Sequence, residues 1–206
     1  IGGTFTDLVA LRPTTGELRS IKVLTQRNDP LASIKAALAP AGLAAIDVDD
    51  LVHGTTLVTN AIVEDRVEPV ALIATQGFED VLDIGRAGRQ HLYRLDLPPK
   101  RASQVPAKRR IGLAERVDHA GVVMRAPDAN AIAEAVQRAK ASGVESVAVS
   151  LLHAYANPAH ERALGAALKA AMPFVSLSHQ VNPETREFER TATTVLNASV
   201  TPIGAR

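Results

Sequence analysis

A chain of 206 residues with 46% apolar and 22% charged side chains is long enough to bury a core and too apolar to be disordered. A net charge of +1, 3% aromatic residues and no Trp give no general drive towards nucleic acid or an anionic membrane surface, and few platforms for base stacking. The lack of Cys removes disulfides, thiolate metal sites and thiol nucleophiles together, and no apolar run reaches the roughly 20 residues that cross a bilayer, so a cytoplasmic protein is expected.

The chain opens on Gly2-Gly3-Thr4-Phe5-Thr6-Asp7, paired glycines followed by hydroxyls and a carboxylate, and runs into the apolar Leu8–Leu11. Missing Cβ atoms permit a tight turn whose amides approach a ligand, with phosphate as the natural candidate; an ordinary hairpin turn is the competing reading. Such a motif at the first residue has no strand to enter it, so the chain is expected to be a piece of a longer protein. Leu8–Leu11 and Leu18–Leu24 are strand candidates joined through Thr14-Thr15-Gly16. Asp29 and Pro30 open a helix carrying Leu31, Ile34 and Leu38 on one face, and Pro40 and Gly42 stop it. Asp50–His53 reads as short and extended, Thr55–Val63 as helical, and Val70–Ala74 as a buried central strand. Phe78, Val81 and Leu82 share a helical face that ends at Gly85.

Residues 94–110 form a basic, Pro-containing excursion, with Pro98, Pro99 and Pro106 among Lys100, Arg101, Lys108, Arg109 and Arg110. Basic density without glycine or aromatic interleaving argues for a surface excursion rather than a nucleic-acid patch. Ile111–Arg116 and Gly121–Met124 are expected as strands around a turn at Asp118–Gly121. The remainder alternates clearly: a helix from Pro127 to Gly143, a strand over Val144–Leu152, and a helix capped by Asn157 with Leu164 and Leu168 inside. A strand over Pro173–Leu177 and a helix over Glu184–Val200 closed by Pro202 complete it. This alternation predicts an α/β layered fold.

The chemistry concentrates in three places. Gly2–Asp7 lacks the Gly-Lys-[Ser/Thr] ending of the Walker loop, and a strand rather than a helix follows it, unlike the dinucleotide fingerprint. His53-Gly54-Thr55-Thr56 makes a turn into a helix whose start suits a phosphate or polar substrate, with Thr59 and Asn60 about one turn further on; plain capping with a packed His53 is the bland alternative. Arg86 and Arg89, near His91 and Tyr93, suit a planar anion or else brace the surface. His119, His153, His160 and His179 lack zinc spacing and read as structural; Glu161 in a helix's first turn would need to lie close to Asp7 to form a metal pair.

Ordered blocks over nearly the whole chain resemble the N-terminal region of the hydantoinase A / 5-oxoprolinase family, which includes subunits of ATP-dependent acetone and acetophenone carboxylases. These are Gly2–Asp7, His53–Thr56 with Thr59-Asn60-Ala61, Thr75–Leu82 with Ile84-Gly85-Arg86, Leu152–Tyr155, Asn157–Glu161, Ser176–Val181, and Pro183–Thr191 followed by Thr193-Thr194 and Asn197-Ala198. The resemblance implies the N-terminal lobe of an actin-like ATPase (ribonuclease H-like) fold, incomplete here, with a mixed sheet and flanking helices across residues 1–206. It further implies ATP and Mg²⁺ as cofactors. Gly2, Gly3, Thr4 and Thr6 would hold the nucleotide in the first of two phosphate loops, Asp7 would hold Mg²⁺ or orient water, and His53 and Thr55 would complete the catalytic set. Thr56, Asn60, Arg86 and Arg89 would face the substrate. The second phosphate loop and the adenosine segment would lie in a missing C-terminal part, and the Asp that normally stands just before the position of Ile1 is absent. Ala87, Gln90 and Glu64-Asp65-Arg66-Val67 depart from the usual family residues, which bears on substrate choice.

The implied reaction is ATP-dependent hydrolytic opening of a cyclic amide, of hydantoin or 5-oxoproline type, through a phosphorylated intermediate, carried out by the intact protein with the isolated piece inactive. Alternatives are a subunit of an ATP-dependent ketone carboxylase, a small-molecule kinase, and a non-catalytic structural fragment. The implied partners are a small cyclic amide or ketone, the missing C-terminal part, and further copies or a second subunit, with neither nucleic acid nor membrane.

Overall fold

In a computed structural model, which describes residues 1–26, 29–88, 93, 96 and 103–205, β1 spans Phe5–Arg12, with exposure alternating from Phe5 to Leu8 as a strand requires. It therefore starts ahead of the apolar run at Leu8, and Thr6 and Asp7 are strand residues rather than loop residues. β1 pairs antiparallel with β2, Glu17–Leu24, in the register Phe5↔Leu24, Asp7↔Lys22, Leu11↔Leu18, and Gly16 takes φ 72° in the turn between them. α1, Pro30–Leu38, is capped as its sequence predicts: Asp29 Oδ1 accepts from the Ala32 amide at 2.9 Å, with Pro30 in the first turn. α1 packs on the ribbon. Residues 50–56 form no regular element, and α2 spans Leu57–Val63, two residues shorter at its start than expected. These elements make one unit, Ile1–Arg66.

The second unit, Val67–Arg206, is built on β3, Val70–Thr75, whose six residues are all buried. After α3, Val81–Ile84, the chain enters β4, Arg110–Leu113; then come the small hairpin of β5, Arg116–Val117, and β6, Val123–Arg125. The strand expected over Ile111–Arg116 is thus two: β4 lies along β3, and β5 turns away after a break at 114–115. α4 (Ala129–Ala141), β7 (Ser146–Ser150), α5 (Ala159–Lys169), β8 (Phe174–Leu177), α6 (Ser178–Val181) and α7 (Glu187–Ala205) follow. Asp128, not Pro127, caps α4, accepting from the Ala131 amide at 2.7 Å.

The sheet order is β4-β3-β7-β8, and every pairing is parallel; antiparallel pairing is confined, among the described residues, to the β1–β2 ribbon and the β5–β6 hairpin. Alternation along β3 splits the core in two. Ala71 and Ile73 join Val147, Val149, Leu164 and Leu168 under α4 and α5, while Val70, Leu72 and Ala74 join Val195 and Ala198 of α7. The result is a central sheet with helices on both faces.

α7 runs through Pro202 instead of stopping before it. Proline that close to the helix end removes one intrahelical donor, and Pro202 is itself buried. The basic excursion is also partly revised. Arg94, Pro98, Pro99, Lys100 and Arg101 lie outside the described residues, but Val105 is fully buried and Arg110 is a buried residue of β4. Arg110 donates through Nε to Val105 O at 2.9 Å and pairs with Asp80 and Asp83, each at 2.6 Å. The hydrogen bond to Asp83, opposed by burial and helped by Asp80, raises its pKa. It is a core brace, not surface charge. Among the described residues no helix is long and apolar enough to cross a membrane.

Candidate functional site

The glycine turn closes on itself before it meets anything else: the Gly2 amide donates to Phe5 O at 2.8 Å, and a Cβ on Gly2 would stand 3.1 Å from that same oxygen. The turn then meets the second glycine cluster. The Ile1 nitrogen donates to Gly54 O at 2.6 Å, and the Thr56 amide donates back to Ile1 O at 3.2 Å. A Cβ on Gly3 would lie 3.1 Å from Asn60 Nδ2, so only glycine lets the turn approach α2 this closely without displacing that amide. Asn60 Nδ2 in turn donates to Thr56 Oγ1 at 3.2 Å, and Thr55 Oγ1 accepts from the Leu57 amide at 3.2 Å. Two motifs some fifty residues apart in sequence thus share one edge of the first unit.

Gly2, Gly3, Thr4, Thr55, Thr56 and Asn60 are brought together there, with Thr4, Thr55 and Thr56 exposed. The Gly2 and Thr56 amides and Asn60 Nδ2 are spent on bonds within this edge, and the exposed threonine hydroxyls are donors that suit anionic oxygens and fit the phosphates of a nucleotide in chemistry. His53 is exposed rather than packed, next to this edge. Thr6 and Asp7 diverge, because adjacent strand residues face opposite sides. The Thr6 hydroxyl is buried against Thr25 Oγ1 at 3.0 Å, whereas Asp7 is exposed and pairs with Lys22 Nζ at 3.0 Å. Among the described residues no three His, Asp or Glu side chains gather to hold a metal ion.

Arg86 extends from the end of α3 to Glu189 on α7, Nε to Oε1 at 2.7 Å. That hydrogen bond first, with the charge of Arg86 behind it, holds the Glu189 carboxyl below its usual range. Arg86 is therefore engaged as a surface brace. Arg89 lies outside the described residues. Asp7 and Glu161 belong to different units.

A second polar constellation occupies the carboxyl ends of the parallel strands, the edge where open α/β sheets carry their ligands. Glu161 is fully buried and saturated. Oε1 accepts from the Leu151 amide at 2.9 Å and Ser178 Oγ at 2.7 Å; Oε2 accepts from the His179 amide at 3.0 Å and His179 Nδ1 at 2.7 Å. Glu115 accepts from Thr75 Oγ1 and from His160 Nδ1, the latter at 2.6 Å. Thr75 Oγ1 accepts from the Leu152 amide at 2.9 Å. Arg190, 1% exposed, donates to Glu184 O at 2.9 Å and Leu151 O at 3.0 Å and sits 5.5 Å from the Tyr155 ring centre. Burial pulls its pKa down against the charges of Glu161 and Glu187.

His153 follows β7 with φ 53°, an uncommon left-handed backbone for a residue with a Cβ, and its Nδ1 lies 3.3 Å from Tyr155 Oη. Burial first, then the charge of Arg190, lowers its pKa. Each carboxylate–imidazole pair ties the loop after one strand to a neighbouring element, so this network sets the shape of the edge. Glu115 and Arg190 carry it without any sequence signal of their own: both are charged residues with no hydropathic mark of burial.

The hydantoinase/oxoprolinase N-terminal region matches residues 1–172. An uncharacterised protein of Methanocaldococcus jannaschii is 35% identical over 98% of this chain and 30% of its own length. The caprolactamase subunit alpha of Pseudomonas jessenii is 34% identical, over 100% of this chain and 31% of its own. The crystal structure of ATP-dependent caprolactamase from that organism superposes with a TM-score of 0.82 at 33% identity, over 100% of this chain and 32% of the other. A nucleotide-free acetone carboxylase structure superposes at 0.80 with 26% identity, over 98% and 31%. The chain spans about a third of the length of these relatives.

Proposed function

Because this chain belongs to the hydantoinase/oxoprolinase N-terminal family, we propose that it is the phosphate-binding part of an ATP-dependent enzyme that opens a cyclic amide by hydrolysis. The observation that carries this reading is the meeting of the Gly2-Gly3 turn with Gly54–Asn60, which gathers the exposed Thr4, Thr55 and Thr56 hydroxyls along one edge. In this reading the chain is the N-terminal lobe of an actin-like ATPase (ribonuclease H-like) fold, incomplete by itself. Likeness to the caprolactamase, an ATP-dependent enzyme named for a lactam, supports the substrate class.

A lactam or imide carbonyl is a poor electrophile at neutral pH, and ATP supplies a phosphoryl group that makes its oxygen a leaving group for water. Amides around Gly3 and Thr4, with the Thr4 hydroxyl, bind the phosphate oxygens; Thr6, buried against Thr25, holds the strand that presents them. Asp7 is the carboxylate of this segment suited to Mg²⁺ and would exchange its exposed pairing with Lys22 for the ion. Thr55, Thr56 and Asn60 orient the substrate carbonyl beside the turn, and His53 moves protons at its exposed imidazole. The working enzyme includes polypeptide beyond this region and a second subunit, in keeping with the subunit name of the caprolactamase relative.

The acetone carboxylase likeness favours one second reading, activation of a ketone for attack on CO₂. The intact protein, assayed for phosphate release with ATP, Mg²⁺ and a panel of hydantoins, 5-oxoproline, caprolactam and simple ketones, separates the two. Release that follows a cyclic amide supports ring opening, release that requires a ketone and bicarbonate supports carboxylation, and a stable phosphorylated product contradicts both in favour of a kinase.

A further inference from the structure

Cross-strand partners in the β1–β2 ribbon share a face, and the two faces differ sharply. Thr6, Leu8, Ala10, Ile21 and Val23 point to the side on which α1 packs and are buried or half-buried. The opposite side carries Phe5 opposite Leu24 and Leu11 opposite Leu18, with Val9 between them, and these five are 43%, 69%, 62%, 63% and 63% exposed in that order. Asp7 and Lys22 neutralise each other in the middle of the patch, and Lys22 Nζ lies 5.2 Å from the Phe5 ring centre. The face thus carries an apolar pair at each end, with the neutral Asp7–Lys22 pair and Val9 opposite Ser20 between them, over roughly 20 Å with no net charge.

We propose that this outer ribbon face is the docking surface for the polypeptide that follows the N-terminal region in the longer family members. The proposal rests on family membership and on none of the ATP chemistry. Two observations select that occupant. A two-stranded ribbon is marginal alone and needs a layer on its apolar side, as α1 provides on the other. The caprolactamase chain contains this whole fold, at a TM-score of 0.82, in a polypeptide of which it makes up 32%, so the same ribbon sits within about three times as much chain there. A second copy of the 206-residue chain would cover the face but would not account for that added length. The occupant presents an aliphatic layer, a helix or sheet face, opposite Leu11, Leu18 and Leu24, and leaves the Asp7 carboxylate uncovered.

The test compares Leu11→Lys/Leu18→Lys in the 206-residue chain with the same double substitution in the complete gene product. The chain alone is expected to keep its unfolding midpoint within about 2 °C, and the complete product to lose roughly 5 °C or more. Should the substituted complete product fail to fold, carbene footprinting of the unsubstituted proteins reads the same face, with Phe5, Leu11, Leu18 and Leu24 labelled in the short chain and protected in the complete product. Equal shifts in both, or labelling that persists in the complete product, overturn the proposal. So does a short chain that is a dimer by light scattering and becomes monomeric on substitution, because a second copy would then be the occupant.

Discussion

The two units of the chain solve the problem of burial differently. Among the described residues of Ile1–Arg66 the buried apolar side chains are Ala37, Ala41 and Ala61, while Val9, Leu11, Leu18, Leu24, Val52 and Val63 are more than 60% exposed. In Val67–Arg206, Leu72, Ile73, Leu113, Leu164 and Leu168 are closed off on both sides of a parallel sheet, and charged residues as large as Arg190 and Glu161 are buried with them. The second unit carries its own core. The first is a scaffold for a glycine turn, with small residues inside and large apolar ones outside. The lesson is that the segment with the most ligand-like chemistry is the one least able to hold itself together.

Substitutions that read the two units against each other sharpen the contrast. The largest effect is expected for Glu161→Gln, which puts an amide donor among four converging donors: a loss of about 3–5 kcal/mol in chemical denaturation, as for breaking a buried pair. Leu164→Ala is expected to cost about 2–5 kcal/mol, whereas Leu18→Ala in the ribbon of the isolated chain should cost less than about 0.5 kcal/mol. Equal costs would abolish the distinction between the units. Gly3→Val should barely move the unfolding midpoint but weaken ATP binding by the intact protein about tenfold, or ~1.4 kcal/mol in a titration, because its side chain drives into Asn60.

The smallest effect is a pH dependence. His153 titrates lower in the folded protein than its ordinary 6.5, first through burial and then through Arg190 and His119, against Asp118. The unfolded chain therefore binds the proton more readily, so this contribution to stability is complete above pH 6.5 and declines as pH falls below it. His153→Asn, which also tolerates the left-handed backbone better, should flatten the acid side of the stability profile; an unchanged slope between pH 7 and 5 would show that His153 does not set it.

Much of this architecture is legible in sequence because it follows from local chemistry. Asp29-Pro30 starts α1, the unbroken apolar run over Val70–Ala74 is the central strand, and Ile132, Ala135, Val136 and Ala139 mark the inner face of α4. The glycine turn and His53–Asn60 are visible as motifs, but their meeting through Ile1 and Gly54 is a long-range pairing that no local pattern encodes. β1 was hidden in Phe5-Thr6-Asp7 because hydroxyls and a carboxylate resemble a loop when the strand's buried side is small. Pro202 misplaces the end of α7 because its lost donor falls near the terminus. Glu115, Arg110 and Arg190 escape for one reason: charged residues read as surface until their partners are known.

Hydrogen exchange on the intact protein, with and without ATP and Mg²⁺, tests the central claim most directly. The account predicts that amides of 2–4 and 54–60 slow together on adding nucleotide, while that of His179, already held by Glu161, stays unchanged. Protection of only one of the two glycine segments, or protection confined to the second unit, would contradict it.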